Sequence, residues 1–472
     1  MPSLSPPAYG GMKGGPLLCI LAFALLFVGC AGPRTQLMTE VRTELAGSQS
    51  QKAYSVYKQR VGQTQRVDEL LNLGLLAFEA GEYEASFSAL SEAERLSEER
   101  ETKSLSREAA GIALSDRVRA YQGTVFDKAM LHYYRSLGFV ARSDLSSATV
   151  EGRAIATYLE VNARESKHTY KDDGFLQWFS GSLYDAFGQT NDAWISYKRA
   201  REIYAGFYGI PEPSFLCPLT LSAARRVGDP ESVQELSQQC ADSVPASWGR
   251  VIILCELGLA PPILEENIML PIFKSDPHDF DDDNARNRYA YEVSQRRGRH
   301  DYDDVELDYL LRVALPYYSS DYMGTAVAQV VIRDTAEREI PADPVQNIGA
   351  ILRQDLSDRG PSILARAVTR ALIKYAATKA AEKAGGKKDK LMGDILGTVV
   401  NIAGAATEAA DTRSWETLPD RIYAADFRLP PGTHSLRALF KDDLGGILFR
   451  HDFPTIEVKS GDVVFLRARC MR

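Results

Sequence analysis

The period of the apolar residues changes once along this chain, and that change limits the possible folds more than any other feature. From residue 35 to about 245 apolar side chains recur at helical spacing. Beyond Trp248 they alternate, and Gly- and Pro-containing turns punctuate the runs. This predicts an α+β multidomain protein, with a helical domain over 30–245 and a β-sandwich-like domain over 246–472. The 472 residues are 45% hydrophobic and 25% charged, enough to bury two or three cores. A net charge of −8 argues against a broad nucleic-acid-binding surface.

The helical stretch reads as hairpins. One runs from Asn72-Leu73-Gly74 through Phe78 and Gly81-Glu82-Tyr83 to Leu90 and Ala93. A second uses Gly181, Tyr184, Gly188, Ala193, Tyr197 and Ala200, and a degenerate copy passes through Leu145 and Ala148. The spacings resemble the tetratricopeptide repeat, in which a small residue admits the paired helix and a glycine ends the first. Ser86 stands where the repeat has alanine, and Thr190 where it has tyrosine. An α-solenoid of four or five hairpins with irregular insertions is expected. Its aromatics include Tyr133, Tyr134, Phe175, Trp178, Phe179, Tyr184, Trp194, Tyr197, Tyr204, Phe207 and Tyr208. They suit either a core between helices, which the spacing favours, or a concave peptide-binding face.

In the second half, Arg250–Leu254 and Ile268–Phe273 read as strands joined by a turn at Gly258–Pro262. Leu307–Leu315, Ala326–Ile332 and several short alternating runs from Tyr423 to Cys470 follow, making seven or eight strands. A helical hairpin interrupts them at about 345–415. Leu364, Val368, Leu372 and Tyr375 make its apolar stripe. Arg366, Arg370, Lys374, Lys379 and Lys383 belong to a run holding eight basic side chains against Glu382 and Asp389. Such a hairpin suits an anionic surface, lipid or peptidoglycan; the competing reading is a solvated face on helices packed against the sandwich.

The first thirty residues carry an address. Leu17–Val28 is an apolar run too short to span a bilayer, preceded by Lys13 and followed by Gly29-Cys30. Small residues before a cysteine in this position resemble the lipobox of bacterial lipoproteins. The resemblance implies a signal peptide over 1–29, cleavage after Gly29, and acylation of Cys30, palmitate being one such acyl chain. Met12 is a better start than Met1, because 1–11 lacks a basic side chain. Ala31 is not the aspartate of inner-membrane retention, so the expected site is the outer membrane, facing the periplasm.

In that oxidising compartment Cys217 and Cys240 are candidates for a disulfide. Helices over Pro213–Arg226 and Glu231–Gln239, joined at Gly228-Asp229-Pro230, would return Cys240 toward Cys217. Two buried thiols are the alternative. The six histidines are scattered, and no nucleotide loop, zinc spacing or nucleophile elbow occurs. Asp279, Asp281 and Asp283 have the alternate spacing of a calcium loop, but Asn284 and Ala290 replace its glycine and glutamate. No metal, cofactor or catalytic residue is therefore expected. Asp411, Arg413 and Trp415 are either a recognition motif or a helix exit with Asp411 and Arg413 paired and Trp415 packed into the sandwich.

With the lipobox, the hairpins, the Gly258-Leu259-Ala260-Pro261 turn and Ala410-Asp411-Thr412-Arg413-Ser414-Trp415 in this order, the chain resembles a family of tetratricopeptide-containing outer-membrane lipoproteins of proteobacteria. The resemblance implies a role in the cell envelope and carries over no catalytic residue. The expectation is an interaction scaffold for envelope proteins in envelope assembly or cell-wall maintenance, held to the membrane by its N-terminal lipid and with no nucleic-acid partner. A wall-acting hydrolase or transferase, or a subunit of an export or assembly complex, are the alternatives.

Overall fold

The computed structural model describes residues 33–104, 121–165, 169–206, 210–240, 247–273, 307–320, 326–386 and 409–471. Cys30 with the signal segment, Phe207 and Tyr208, the acidic run with Asp279, and the second helix of the expected insert lie outside them, as does the side chain of Lys383.

Five helix pairs come first. They are α1 (Pro33–Ala46) with α2 (Ser50–Val61), α3 (Val67–Glu79) with α4 (Tyr83–Ser104), and α5 (Val125–Ala141) with α6 (Leu145–Glu165). After these come α7 (Gly174–Ala186) with α8 (Thr190–Gly206), and α9 (Leu216–Val227) with α10 (Pro230–Gln239). Each pair packs along its length, and successive pairs pack side by side, which makes this half tetratricopeptide-like. The landmarks work as their spacing predicts. A Cβ on Gly74 would lie 2.6 Å from the Leu90 side chain, and one on Gly181 would lie 2.7 Å from the Tyr197 ring. Gly81 and Gly188 close their hairpins at φ +78° and +80°, and Ser143 takes the same left-handed turn between α5 and α6 at φ 60°. Cys217 and Cys240 are bonded across the last pair with their Cα atoms 5.6 Å apart.

The strands are β1 (Gly249–Leu257), β2 (Ile263–Phe273), β3 (Leu307–Tyr318), β4 (Gln329–Arg333) and β5 (Glu339–Asn347). A long helix, α11 (Ile348–Gly386), follows. Then come β6 (Arg421–Leu429), β7 (Gly432–His434), β8 (Arg437–Lys441), β9 (Ile447–Asp452), β10 (Ile456–Val458) and β11 (Val463–Cys470). Two stacked sheets were expected; seven strands instead form one continuous sheet in the order β11-β1-β6-β5-β4-β8-β9. It curls, because Val251 and Ile253 of β1 share one core with Val330 and Ile332 of β4 and with Ala438 and Phe440 of β8. The corner is β5, whose register shifts between Pro344 and Gln346. Its two prolines hide it from a strand reading, so the expected insert began inside it.

Two further expectations need correction. After the Gly258–Pro262 turn, β2 does not return to β1; among the described residues it pairs only with β3, as a separate two-stranded arm. The stripe of Val368, Leu372 and Tyr375 on α11 packs on that arm, against Leu270, Ile272, Leu311 and Val313, and not on the curled sheet.

Candidate functional site

The largest core crosses the expected domain boundary. All nine residues of β1 are buried, so the strand is covered on both faces. Its inner residues fill the curl of the sheet, while Ile252 and Leu254, with Ile422 and Ala424 of β6, pack into the helices. The helices that meet them are the first members of their pairs: Tyr133 and Tyr134 of α5, and Phe175, Trp178 and Phe179 of α7. Phe179 contacts Phe465 of β11 edge-on at 6.3 Å. Tyr204 of α8 donates to the Val345 carbonyl at 2.7 Å. The aromatic face on which a peptide could have docked is thus occupied by the chain's own sheet.

Two ionic clusters lock this junction. Glu256 is wholly buried on β1 and accepts from the hydroxyls of Tyr133 at 2.9 Å and Tyr134 at 3.2 Å. It also accepts from Arg467 at 2.6 Å and Arg469 at 2.8 Å, both on β11. Glu79 at the end of α3 pairs with the same Arg467. Burial opposes ionisation of Glu256, but the two guanidiniums override it and hold its pKa below the usual carboxylate range.

The second cluster surrounds Arg250, which is 2% exposed. Its guanidinium donates to Asp426 of β6 at 2.8 and 2.5 Å, to Asp185 of α7 at 3.1 Å, and to the hydroxyls of Tyr197 at 2.7 Å and Ser182 at 2.9 Å. Trp178 Nε1 donates to the same Asp426 carboxylate at 3.2 Å, and Arg226 pairs with Asp185 at 2.5 Å. Glu256, Glu79, Asp426 and Asp185 each therefore have an arginine partner, which is what buried charge requires. A further buried carboxylate at the junction, Asp173 at the start of α7, has none among the described residues and accepts instead from Gln346 of β5 at 2.6 Å and Tyr170 at 3.1 Å.

A third set ties the N-terminal helix to the strap that enters β6. Arg34 lies 3.3 Å from Asp68 and 3.2 Å from Glu416, and Arg42 donates to the Ala260 carbonyl at 2.8 Å. Asn72 of α3 donates to the Ser414 carbonyl at 3.1 Å and accepts from the Thr417 backbone at 3.0 Å. The strap holds the expected motif. Asp411 and Arg413 are paired at 2.7 Å, while Trp415 is buried beside Tyr134 at 6.0 Å between ring centres. Trp415 thus sits in the core shared with the helices and not inside the curled sheet.

Among the described residues the basic run is not an open face. Arg370 is 1% exposed, and Arg366, Lys374 and Lys379 are half-buried and engaged with other groups. Lys379, for example, lies 5.7 Å over the Tyr375 ring. Helical spacing had grouped these side chains, but packing on the β2–β3 arm turns Arg370 inward.

Sequence reasoning missed one polar cluster among the helices. His132 is buried on α5, with Nδ1 2.7 Å from Glu151 of α6 and Nε2 3.3 Å from Glu94 of α4. Arg135 bridges the same two carboxylates at 2.7 and 2.8 Å. Burial disfavours a charged imidazole, but Glu151 and Glu94 outweigh it and raise the His132 pKa. The signal available was a histidine three residues before an arginine on a helix face that also carries Lys128 and Ser136. Among the described residues no group of three or more His, Cys, Asp or Glu is placed to hold a metal ion, and no helix is long and apolar enough to cross a membrane.

No family model and no curated protein matches the chain. Among solved structures it is similar to MamA, at 14% identity over 42% of this chain and 90% of that one, with a TM-score of 0.27. It is also similar to a Podosopora anserina kinesin light chain with nearly identical TPR-like repeats, at 14% identity over 44% and 92%, with a TM-score of 0.29. Overlaps this slight carry no weight for fold or function, and the tetratricopeptide-like description rests on the five helix pairs and their glycine contacts.

Proposed function

We propose that this protein is a non-enzymatic interaction scaffold, acylated on Cys30 and anchored in the outer membrane facing the periplasm, serving envelope assembly or cell-wall maintenance through protein partners. One observation carries the reading: the junction between helices and sheet, where a wall hydrolase would keep a cleft and a free carboxylate, is filled by packed aromatics and by acids paired with arginine or, in Asp173, hydrogen-bonded to Gln346 and Tyr170. A body so braced suits holding partners more than processing a substrate. The partners then meet outward-facing surfaces, because the inner helical face is taken.

Site-specific photo-crosslinking in whole envelopes tests this. A benzophenone side chain at Val150 or Ile195, which are 58% and 57% exposed, is expected to capture other envelope proteins. At Tyr133 or Phe179, both buried, it is expected to capture only the chain itself. Capture of another protein from the inner positions contradicts the closed junction. A single exposed carboxylate changed to its amide, abolishing function while fold and capture persist, contradicts the scaffold and favours catalysis.

A further inference from the structure

α1 starts at Pro33, three residues beyond Cys30. Three peptide steps reach at most about 11 Å. The helix is already part of the body at its second residue, because Arg34 is bound to Asp68, Glu416 and the Ser414 carbonyl. Met38, Val41 and Leu45 continue the attachment in a core with α2, α3 and Leu259. At most about 11 Å of chain would therefore separate a lipid on Cys30 from the folded protein.

Given acylation of Cys30 as proposed above, we infer that one end of the helical row is pressed against the phospholipid headgroups. That end comprises the start of α1, the start of α3 and the end of α4, where Arg100 donates to the carbonyls of Gln65 and Tyr121. The strap belongs to it as well, since Arg413 stacks over Tyr121 at 5.5 Å. Around Arg34 the carboxylates point inward and the guanidiniums outward. Asp68 and Glu416 side chains are 1% and 8% exposed, whereas those of Arg34 and Arg66 are 30% and 48%. The exposed residues of the first turn of α1 are Thr35 and Gln36, polar side chains that suit headgroup contact and not acyl-chain insertion. The Gly81 turn, at the other end of α3, is held away from the bilayer.

Energy transfer to headgroup-labelled lipid reads this directly. The acylated protein is reconstituted in vesicles of phosphatidylethanolamine and phosphatidylglycerol, with a dye on Gln65→Cys or on Glu82→Cys. Labelling is selective, because Cys217 and Cys240 are bonded to each other and Cys255 and Cys470 are buried. α3 separates the two positions by about 20 Å, so transfer from Gln65→Cys is expected to exceed that from Glu82→Cys at least about two-fold. A twelve-residue Gly/Ser insertion between Gly32 and Pro33, about 20 Å in mean reach, should bring the two close to equal. Equal transfer without the insertion, or stronger transfer from Glu82→Cys, overturns the apposition while vesicle binding leaves acylation standing. A protein that carries no acyl mass on Cys30 and stays off the vesicles overturns both.

Discussion

Arg250 and Glu256 show what a single residue contributes to this fold. Both stand on a strand whose other residues are apolar or glycine, and both turn toward the helices, where four arginines and four carboxylates cluster in two groups. Replacing Arg250 with Met leaves Asp426 and Asp185 short of their main counter-charge, and should cost about 3–5 kcal/mol in urea unfolding. Changing Asp426 to Leu in the same chain should recover part of that loss, and no recovery would mean that Arg250 acts through packing alone. His132 makes a pH-dependent contribution. Its pKa is raised in the folded protein, so the stabilisation is complete below the ordinary histidine value of about 6.5 and fades as pH rises through the folded value. The melting-point gap between the parent and His132→Gln should therefore be widest near pH 6 and narrow toward pH 9; a gap constant with pH would show that His132 is a neutral packing residue. These charges were legible only as anomalies. A charged residue at each end of Arg250-Val251-Ile252-Ile253-Leu254-Cys255-Glu256 signals buried pairing, but its partners are 53 to 213 residues away and no local pattern names them.

At the scale of elements, the helices were the legible part, because their spacing is local and each hairpin closes within about forty residues. Gly74, Gly181, Gly81 and Gly188 meet their repeat roles, and five pairs stand where four or five were expected. The sheet was not legible, for two physical reasons. Its outer strand β11 pairs in parallel with β1 from the far end of the chain, and β5 makes a corner through prolines that strand propensity excludes. The arm was misassigned because alternation marks β2 as a strand without saying which strand it joins. The last helix pair is closed by Cys217–Cys240 across 23 residues, a loop whose constraint on the unfolded chain is worth about 3 kcal/mol. Cys217→Ser with Cys240→Ser should lower stability by about that amount. Alkylation of the unfolded, unreduced protein should leave both cysteines unlabelled, and full labelling would mean the pair is not bonded.

For the molecule as a whole, the central claim is that a tetratricopeptide-like row of helices has its inner face filled by a sheet from the same chain, so that the two halves are one cooperative body. The hydrophobic core runs without a break from α3 to β6, and the Glu256 and Arg250 clusters span it. Two separable domains would present two stabilities and an open groove; one fused body presents neither. Equilibrium urea unfolding of the full chain decides between them, followed at once by helical circular dichroism and by fluorescence of the junction residues Trp178 and Trp415 with Trp194 and Trp248 changed to Phe. The account predicts a single transition with the same midpoint for both signals. Loss of the tryptophan signal while the helices persist, in a separate earlier transition, would contradict it.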